Sequence, residues 1–246
     1  MKKAGIVISI VAGLSIVLSS LILGISFYNS KGPEKSVYVV GLAEKDFVSD
    51  LIVWNIRLNV LKMDLKEAYS EIKNQNTVVK DYLISKGIRE DEMIFEPINT
   101  EKDYRYEWDS RNSRNIQFFN GYSLTQTINI KSKEVEKIEK ITREVSELLD
   151  KGIELNVSSP EYYYTKLADL KIQMLAEAAK DARKRAETIA SNSGAKLGSL
   201  KSASMGVFQI TAPNSSEDEY SWGGTFNTSS KEKRASINMR LTYQIK

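Results

Sequence analysis

Alternation of apolar and polar residues predicts several strands in this chain. The segment DLIVWNIRLNVL (residues 50–61) places apolar residues at every second position from Ile52 to Val60, with polar residues between them. The segments GYSLTQTINI (residues 121–130) and ASINMRLTYQIK (residues 235–246) alternate in the same way. A period of two is typical of a strand with one buried face and one wet face, as in antiparallel sheets.

Helical spacing follows each of the first two strands. A capping box at Asp64 begins the first helix, and Ser132 is placed to cap a second helix whose apolar face runs through residues 135–149. Each helix ends in a Lys-Gly-Ile triplet, at residues 86–88 and 151–153, where glycine suits the left-handed position after a helix. This order predicts two similar strand–helix–strand units.

A third helix, predicted between Thr165 and Gly194, carries alanine where a core-facing helix usually carries leucine. Because alanine has little side-chain volume, this helix can lie close to a sheet or to another helix. The predicted fold class is therefore α+β: a mostly antiparallel sheet with helices packed on one face, two similar strand–helix–strand units and one long alanine-rich helix. The predicted apolar stripe of the third helix consists of Leu175, Ala178, Ala182, Ala186 and Ile189.

The first thirty residues have the composition of a membrane anchor. Residues 4–28 contain no charged side chain, and a helix of this length crosses the ~30 Å hydrocarbon core of a bilayer. Lys2 and Lys3 favour a cytoplasmic N-terminus, with the remainder of the chain outside. We therefore predict a single-pass transmembrane helix in the plasma (inner) membrane and an extracytoplasmic C-terminal domain. The alternative is a cleaved signal peptide, although its apolar segment is usually shorter.

This interpretation divides the chain into three parts. Residues 1–30 form a cytoplasmic tip and transmembrane signal anchor, and residues 31–35 form a linker, as their glycine, proline and polar content indicates. Residues 36–246 form one α+β domain, long enough to bury a sizeable core.

The amino-acid composition excludes several kinds of catalytic and binding site. The chain contains no histidine and no cysteine, which excludes zinc sites of the Cys/His type, thiol nucleophiles, disulfides and a Ser-His-Asp triad. The net charge is +3, of which Lys2 and Lys3 supply two charges. The remainder is almost neutral, which argues against a nucleic-acid partner. We predict no cofactor, no metal ion and no enzymatic activity.

Two segments combine aromatic residues with polar ones. The segment DYRYEWDSRNSRN (residues 103–115) can hold a partner or an anionic ligand through aromatic stacking and arginine contacts, or it can be a β-hairpin with a polar tip. The segment 212–233 is either a docking arm or disordered. The candidate partner or assembly surface consists of Tyr104, Tyr106, Trp108, Arg111, Arg114 and Trp222.

The segment AEAAKDARKRAETIASNSGAKLGSL (residues 176–200) resembles the alanine-rich helix of the SIMPL-domain family, followed by its Gly-x-x-Leu-Gly turn. Three further segments are similar to that family: VYVVGLAEKDFVSDLIVW, YLISKGIREDEM and GVFQI, the last in a subgroup with an uncleaved N-terminal helix. The resemblance spans residues 36–246. The segment EPINTEKDYRYEWDSRNSRN is longer and more charged than the family's common form. The resemblance implies extracytoplasmic proteins without established catalytic residues, some linked to stress tolerance and one type forming large closed rings.

Three functional hypotheses follow. The first is a non-enzymatic, membrane-tethered envelope protein that self-associates as a homo-oligomer, in envelope or oxidative stress tolerance. The second is an envelope binding module that holds a ligand or partner protein through the 103–115 hairpin. The third is a hydrolase using Asp46 and Asp50 as general acid and base, although no nucleophile or oxyanion hole accompanies them in the sequence.

Overall fold

A computed structural model describes residues 2–30, 35–109, 114–215, 221 and 223–246. The chain divides into two compact units. Unit 1 comprises Met1–Ala43, Leu175–Gly206 and Asn238–Lys246. Unit 2 comprises Glu44–Met174 and Val207–Ile237.

Four α-helices and ten strands are formed by the described residues, so the class is α+β as predicted. The helices are α1 (Lys2–Ser30), α2 (Leu65–Ser85), α3 (Val135–Glu144) and α4 (Leu167–Asn192), with 3₁₀ segments at Glu90–Glu92 and Val145–Lys151. The strands are β1 (Ser36–Val48), β2 (Leu51–Lys62), β3 (Met93–Phe95), β4 (Asn99–Asp109), β5 (Arg114–Ser132), β6 (Leu155–Val157), β7 (Glu161–Tyr163), β8 (Leu197–Met205), β9 (Gln209–Thr211) and β10 (Glu232–Ile245).

Unit 2 is built from the two predicted strand–helix–strand units, β2–α2–β3 and β5–α3–β6, which interlock. The long strands β2 and β5 pair antiparallel along their length, from Ile52 opposite Ser132 to Lys62 opposite Tyr122. The short strand β3 pairs with β5, while β6 pairs with β2. Each unit therefore gives its short strand to the long strand of the other.

The same turn follows α2 and the 3₁₀ segment Val145–Lys151 that continues α3. The shared triplet predicts both turns, although the second closes the 3₁₀ segment and α3 itself ends at Glu144. Gly87 and Gly152 have φ values of 88° and 73°, the left-handed region that glycine tolerates best. After each glycine the isoleucine N–H donates back to the helix, from Ile88 to Leu83 and from Ile153 to Leu148. The turn directs the chain into the following short strand.

The core of unit 2 lies between this sheet and the helices α2 and α3. Alternate residues of β2 from Ile52 to Val60 are buried, as predicted. On β5 the buried row contains Gln126, which the sequence pattern did not assign to the core. Its amide is paired, because it donates to the Glu96 carbonyl and accepts from the Asn76 amide.

The start of α3 differs from the prediction. Ser132 does not cap this helix, which begins at Val135 with Glu134 in the cap position. The Ser132 hydroxyl is buried and donates to Glu92 Oε1 at 2.5 Å. It also accepts from the Glu134 N–H. The serine therefore ties the end of β5 to the buried Glu92 carboxylate.

In unit 1 the strand β10 lies between β1 and β8. Ala182 and Ala186 of α4 pack in one cluster with Val37, Val39, Leu241 and Tyr243. The predicted stripe is correct for its alanines. Leu175 is half-buried and Ile189 is exposed, whereas the buried positions on either side of the alanines are Met174 and Ala190. The buried row therefore follows strict spacing of four, which is the ridge that lies closer to the direction of the helix axis.

The N-terminal helix α1 presents apolar side chains without burying them. Among the described residues, no helix combines the length and the apolar character that a membrane crossing requires. The transmembrane signal anchor and the location of the chain therefore stay predictions. The exposed apolar residues of α1 are Leu14, Ile16, Val17, Leu18, Leu21, Ile22, Leu23, Ile25 and Phe27.

Candidate functional site

The candidate surface from the sequence lies on a two-stranded arm. Residues 122–132 of β5 pair with β2, whereas residues 114–121 of β5 pair only with β4. The outer halves of β4 and β5 therefore extend beyond the sheet as a ribbon. Arg111 and Trp222, both predicted members of the surface, lie outside the described residues.

One side of the arm carries most of its rings. Tyr104 lies opposite Phe119, Tyr106 opposite Gln117, and Trp108 opposite Asn115. Tyr106 is 63% exposed and Trp108 is 64% exposed. Because directly opposed residues of an antiparallel pair share a face, these six side chains form one surface. We call it the aromatic face: Tyr104, Tyr106, Trp108, Asn115, Gln117 and Phe119.

The opposite side of the arm carries the charges. Arg105 pairs with Glu107 at 2.8 Å, and Phe118 and Ile116 lie opposite them on β5. Arg114 belongs to this side by its register opposite Asp109. The structure therefore separates Arg114 from the three aromatic residues with which the sequence grouped it.

The base of the arm is held by a bulge and by ring contacts. The register shifts between Asp103 and Tyr104, and the Asn120 amide donates to Asp103 Oδ2 at 2.6 Å. Gly121 has a φ of 130°, and a Cβ there would lie 2.6 Å from the Lys62 carbonyl oxygen. The Phe119 ring lies 5.9 Å from Tyr104 and 5.3 Å from Tyr122. These contacts fix the direction in which the aromatic face points.

The two aspartates of the hydrolase hypothesis hold structural bonds. Asp46 accepts two hydrogen bonds from Arg234, at 2.6 and 2.8 Å, and this guanidinium keeps the pKa of the Asp46 carboxyl below its ordinary value. Asp50 accepts from the backbone N–H and the hydroxyl of Thr165, both at 2.6 Å. Both carboxylates therefore join segments of unit 2 that are distant in sequence.

A cleft of about 510 Å³ lies at the start of α3 in unit 2, and its charges are largely paired. Lys137 contacts Glu134 at 2.7 Å, which lowers the pKa of that carboxyl. Lys231 contacts Glu139 at 3.1 Å, and this pair raises the pKa of the lysine. Within the described part of the chain, no cluster of three or more acidic, histidine or cysteine side chains is arranged to hold a metal ion.

Unit 1 has exposed apolar side chains that the sequence analysis did not assign to any surface. On β1, at one edge of its sheet, Tyr38, Val40 and Leu42 alternate with buried residues and are 59%, 38% and 42% exposed. On β8, at the other edge, Leu200 and Met205 are exposed. The sequence did contain a signal for this surface. The first half of SVYVVGLAEKDFV carries apolar residues at neighbouring positions, so both faces of the strand are apolar there and only one of them is buried.

Some described residues of segment 212–233, for which the sequence left a docking arm and disorder as alternatives, are bonded to neighbouring elements. The Gln209 side chain accepts from the Thr225 N–H at 2.8 Å and donates to the Ser221 carbonyl at 2.7 Å. The Thr228 carbonyl accepts from the Tyr162 N–H at 2.7 Å.

Comparison with protein families identifies the domain to which most of the chain belongs. The family model SIMPL, described as a protein of unknown function (DUF541), matches residues 37–243. A search of curated proteins found no match.

Proposed function

Because the chain belongs to the SIMPL family, we propose that it is a non-enzymatic protein that self-associates while tethered to the plasma (inner) membrane. Residues 4–28 form the tether, and the remaining domain lies in the cell envelope. The proposed role is in tolerance of envelope or oxidative stress. The proposal rests most on the exposed apolar positions at both edges of the unit 1 sheet.

These edges suit contact between copies of the chain. Edge strands offer unpaired backbone groups, and soluble proteins usually protect them with charged residues. Here Tyr38, Val40 and Leu42 on β1 and Leu200 and Met205 on β8 are apolar and exposed. A second copy that covers them removes apolar surface from water, which contributes about 25 cal/mol per Å².

The helix α1 supports the tether. Its described side chains from Leu14 to Phe27 are exposed and predominantly apolar. A bilayer would cover this surface without burying a charge, since residues 4–28 contain no charged side chain. An epitope tag after Lys246 tests the topology by protease protection in intact cells. Digestion only after the membrane is permeabilised to reach the cytosol would contradict an extracytoplasmic domain.

Assembly is tested with the full chain in detergent by light scattering and particle imaging. We expect a closed oligomer for the wild type and a smaller species for the double variant Val40→Lys/Leu200→Lys. The matched control is Ile94→Lys, which changes an exposed apolar residue of unit 2. A monomeric wild type at high protein concentration contradicts self-association, and equal effects of the test and control variants contradict the proposed surface.

A second candidate function is binding through the arm. It is favoured by Tyr106 and Trp108, whose rings contact no other ring among the described residues. This function is independent of self-association. It is contradicted if replacing both rings leaves every binding partner of the full chain unchanged.

A further inference from the structure

The geometry of the arm points to a chemical class of partner: we propose that the aromatic face binds a neutral, extended, β-linked oligosaccharide. The inference rests on the second candidate function, binding through the arm, and does not depend on self-association. The residues are those of the aromatic face, with Tyr106 and Trp108 as the two exposed stacking rings.

The face combines rings and amides in register. Tyr106 lies directly opposite Gln117, and Trp108 lies directly opposite Asn115. All four side chains are exposed. No hydrogen bond joins either amide to another described residue. Each amide offers two donors and one acceptor oxygen, and the Tyr106 hydroxyl and Trp108 indole N–H add further groups.

This combination matches the two-sided chemistry of a sugar ring. The C–H face of a pyranose stacks on an aromatic ring, while its hydroxyl edge needs donors and acceptors at the side. Alternate residues of a strand are ~6.6–6.8 Å apart, so the row from Tyr104 to Trp108 spans about 13 Å. A β-linked glycan is extended and can contact more than one ring of this row, whereas a coiled α-linked glycan cannot follow it.

The charge distribution argues against two other partners. The described residues of the aromatic face include no lysine or arginine, although a nucleic acid requires cations along its phosphates. The arm's Arg105 is paired with Glu107 on the opposite side. An acidic glycan or peptide would meet no compensating charge on the aromatic face, so the occupant is neutral.

The amides also argue against an apolar protein surface. A second copy of the chain that covered the face with apolar side chains would bury the Gln117 and Asn115 amides. Each buried, unpaired amide costs about 1–3 kcal/mol. Hydroxyl groups of a sugar satisfy these amides without that cost.

The test uses the full chain in a peptide-stabilised or nanodisc form, because glycoside detergents would compete for the face. The probes are the β-1,4-linked hexamer of N-acetylglucosamine and, as the α-linked comparison, maltohexaose. Binding is measured by calorimetric titration and by saturation-transfer NMR on the sugar protons. We expect binding of the β-linked hexamer, and at least about tenfold weaker binding of maltohexaose.

The test variant is Tyr106→Ala/Trp108→Ala, and the matched control is Phe118→Ala, an exposed ring on the opposite side of the arm. We expect the test variant to lose at least about tenfold in affinity, which corresponds to 1.4 kcal/mol, and the control to stay within twofold. Unfolding midpoints equal to wild type confirm that the variants are folded.

Four results would overturn the inference. These are no binding of the β-linked hexamer by the wild type, unchanged affinity in the test variant, equal losses in test and control variants, or equal binding of both sugars. Particle size and flotation with neutral lipid vesicles are measured on the same samples. If the test variant changes only particle size or only flotation, a second copy or a bilayer covers the face instead of a sugar. Self-association of the wild type is scored separately by particle size.

Discussion

Gly41 in β1 lies against Ala182 in α4 so closely that a Cβ on Gly41 would lie 2.7 Å from the Ala182 Cβ and 2.5 Å from its backbone nitrogen. The Ala178 carbonyl oxygen lies on the same side. A glycine on the strand and alanines on the helix together permit this approach. The alanine-rich stripe is thus explained by a strand that packs directly on the helix backbone in unit 1.

We expect Gly41→Ala to destabilise the protein by about 1–3 kcal/mol or more, because the added methyl overlaps backbone atoms that cannot move independently. Ala182→Leu should have an effect of the same kind. Urea unfolding followed by circular dichroism measures both. The control Ala176→Leu places the same bulk on an exposed position of α4, and an equal loss there would contradict the close packing.

The Asp181 carboxylate joins α4 to β1, and its removal should cost about 1 kcal/mol at pH 7. Its Oδ2 accepts from the Leu42 N–H at 3.0 Å and from Arg185 at 2.8 Å. The Leu42 N–H, followed by Arg185, keeps the pKa of Asp181 below its ordinary 3.8. This stabilisation is therefore present above pH 4 and declines as the pH falls through the folded pKa.

Unfolding of Asp181→Ala and wild type at pH 7 and pH 3 measures this effect. We expect the difference in unfolding free energy between them to shrink at pH 3. The control Glu187→Ala removes an exposed partner of Arg183 on the same helix, and should cost less than about 0.5 kcal/mol. A difference for Asp181→Ala that does not depend on pH would contradict the assigned pKa direction.

Lys233 is a buried lysine whose ammonium donates to the Asn227 carbonyl, and burial lowers its pKa to about 8. An unfolded lysine binds its proton up to about pH 10.4. Between these values the unfolded chain holds more protons, so this residue makes stability rise with pH. Lys233→Met should be more stable than wild type at pH 7 and should lack this rise.

Denaturant unfolding at pH 7 and pH 9.5 for both proteins measures the effect of Lys233. The comparison between proteins is needed because burial also raises the pKa of Tyr162, to about 12, which lowers stability at alkaline pH in both. We expect the advantage of Lys233→Met to be about 1–3 kcal/mol at pH 7 and smaller at pH 9.5. An advantage that is constant with pH would show that Lys233 titrates normally.

Gly87 follows α2 and Gly152 follows the 3₁₀ segment Val145–Lys151, both with positive φ, so alanine at either position should cost about 1–2 kcal/mol. A Cβ on Gly152 meets no neighbouring atom, and that variant reports the backbone conformation alone. On Gly87 the Cβ would lie 3.1 Å from the end of the Lys137 side chain. Gly223→Ala is the control, since a Cβ there meets no neighbouring atom and its φ lies outside the left-handed region. Thermal unfolding that shows equal, small effects at all three positions would contradict this explanation.

Periodicity predicted the architecture of unit 2 because each signal there is local. The alternating row from Ile52 to Val60 and the two Lys-Gly-Ile turns depend on residues that are neighbours in sequence. The predicted stripe of α4 was wrong by one residue at each end. It included Leu175 and Ile189, whereas the buried residues are Met174 and Ala190. A period of 3.6 allows spacings of three or four, and only the packing partner decides which ridge is buried.

In the arm, the sequence pattern did not predict which residues share a face. Arginines and aromatic residues are interleaved in sequence, which suggested one mixed surface of Tyr104, Trp108 and Arg114. Strand alternation and the register across the turn place Arg114 on the other side. Register depends on the turn, and a shift of one residue exchanges the two faces. The bulge beside Tyr104 adds a further shift that composition does not reveal.

The position of β10 has a consequence for shortened chains. Its last eight residues, Asn238–Ile245, belong to unit 1, where β10 separates β1 from β8. A stop codon in place of codon 238 would delete the middle strand of that sheet and leave both of its edge strands in the chain. Such a product would contain all residues of unit 2, but β1 and β8 would have lost the strand with which both of them pair. Exposed, unpaired strands of this kind would make it a substrate for proteolytic quality control.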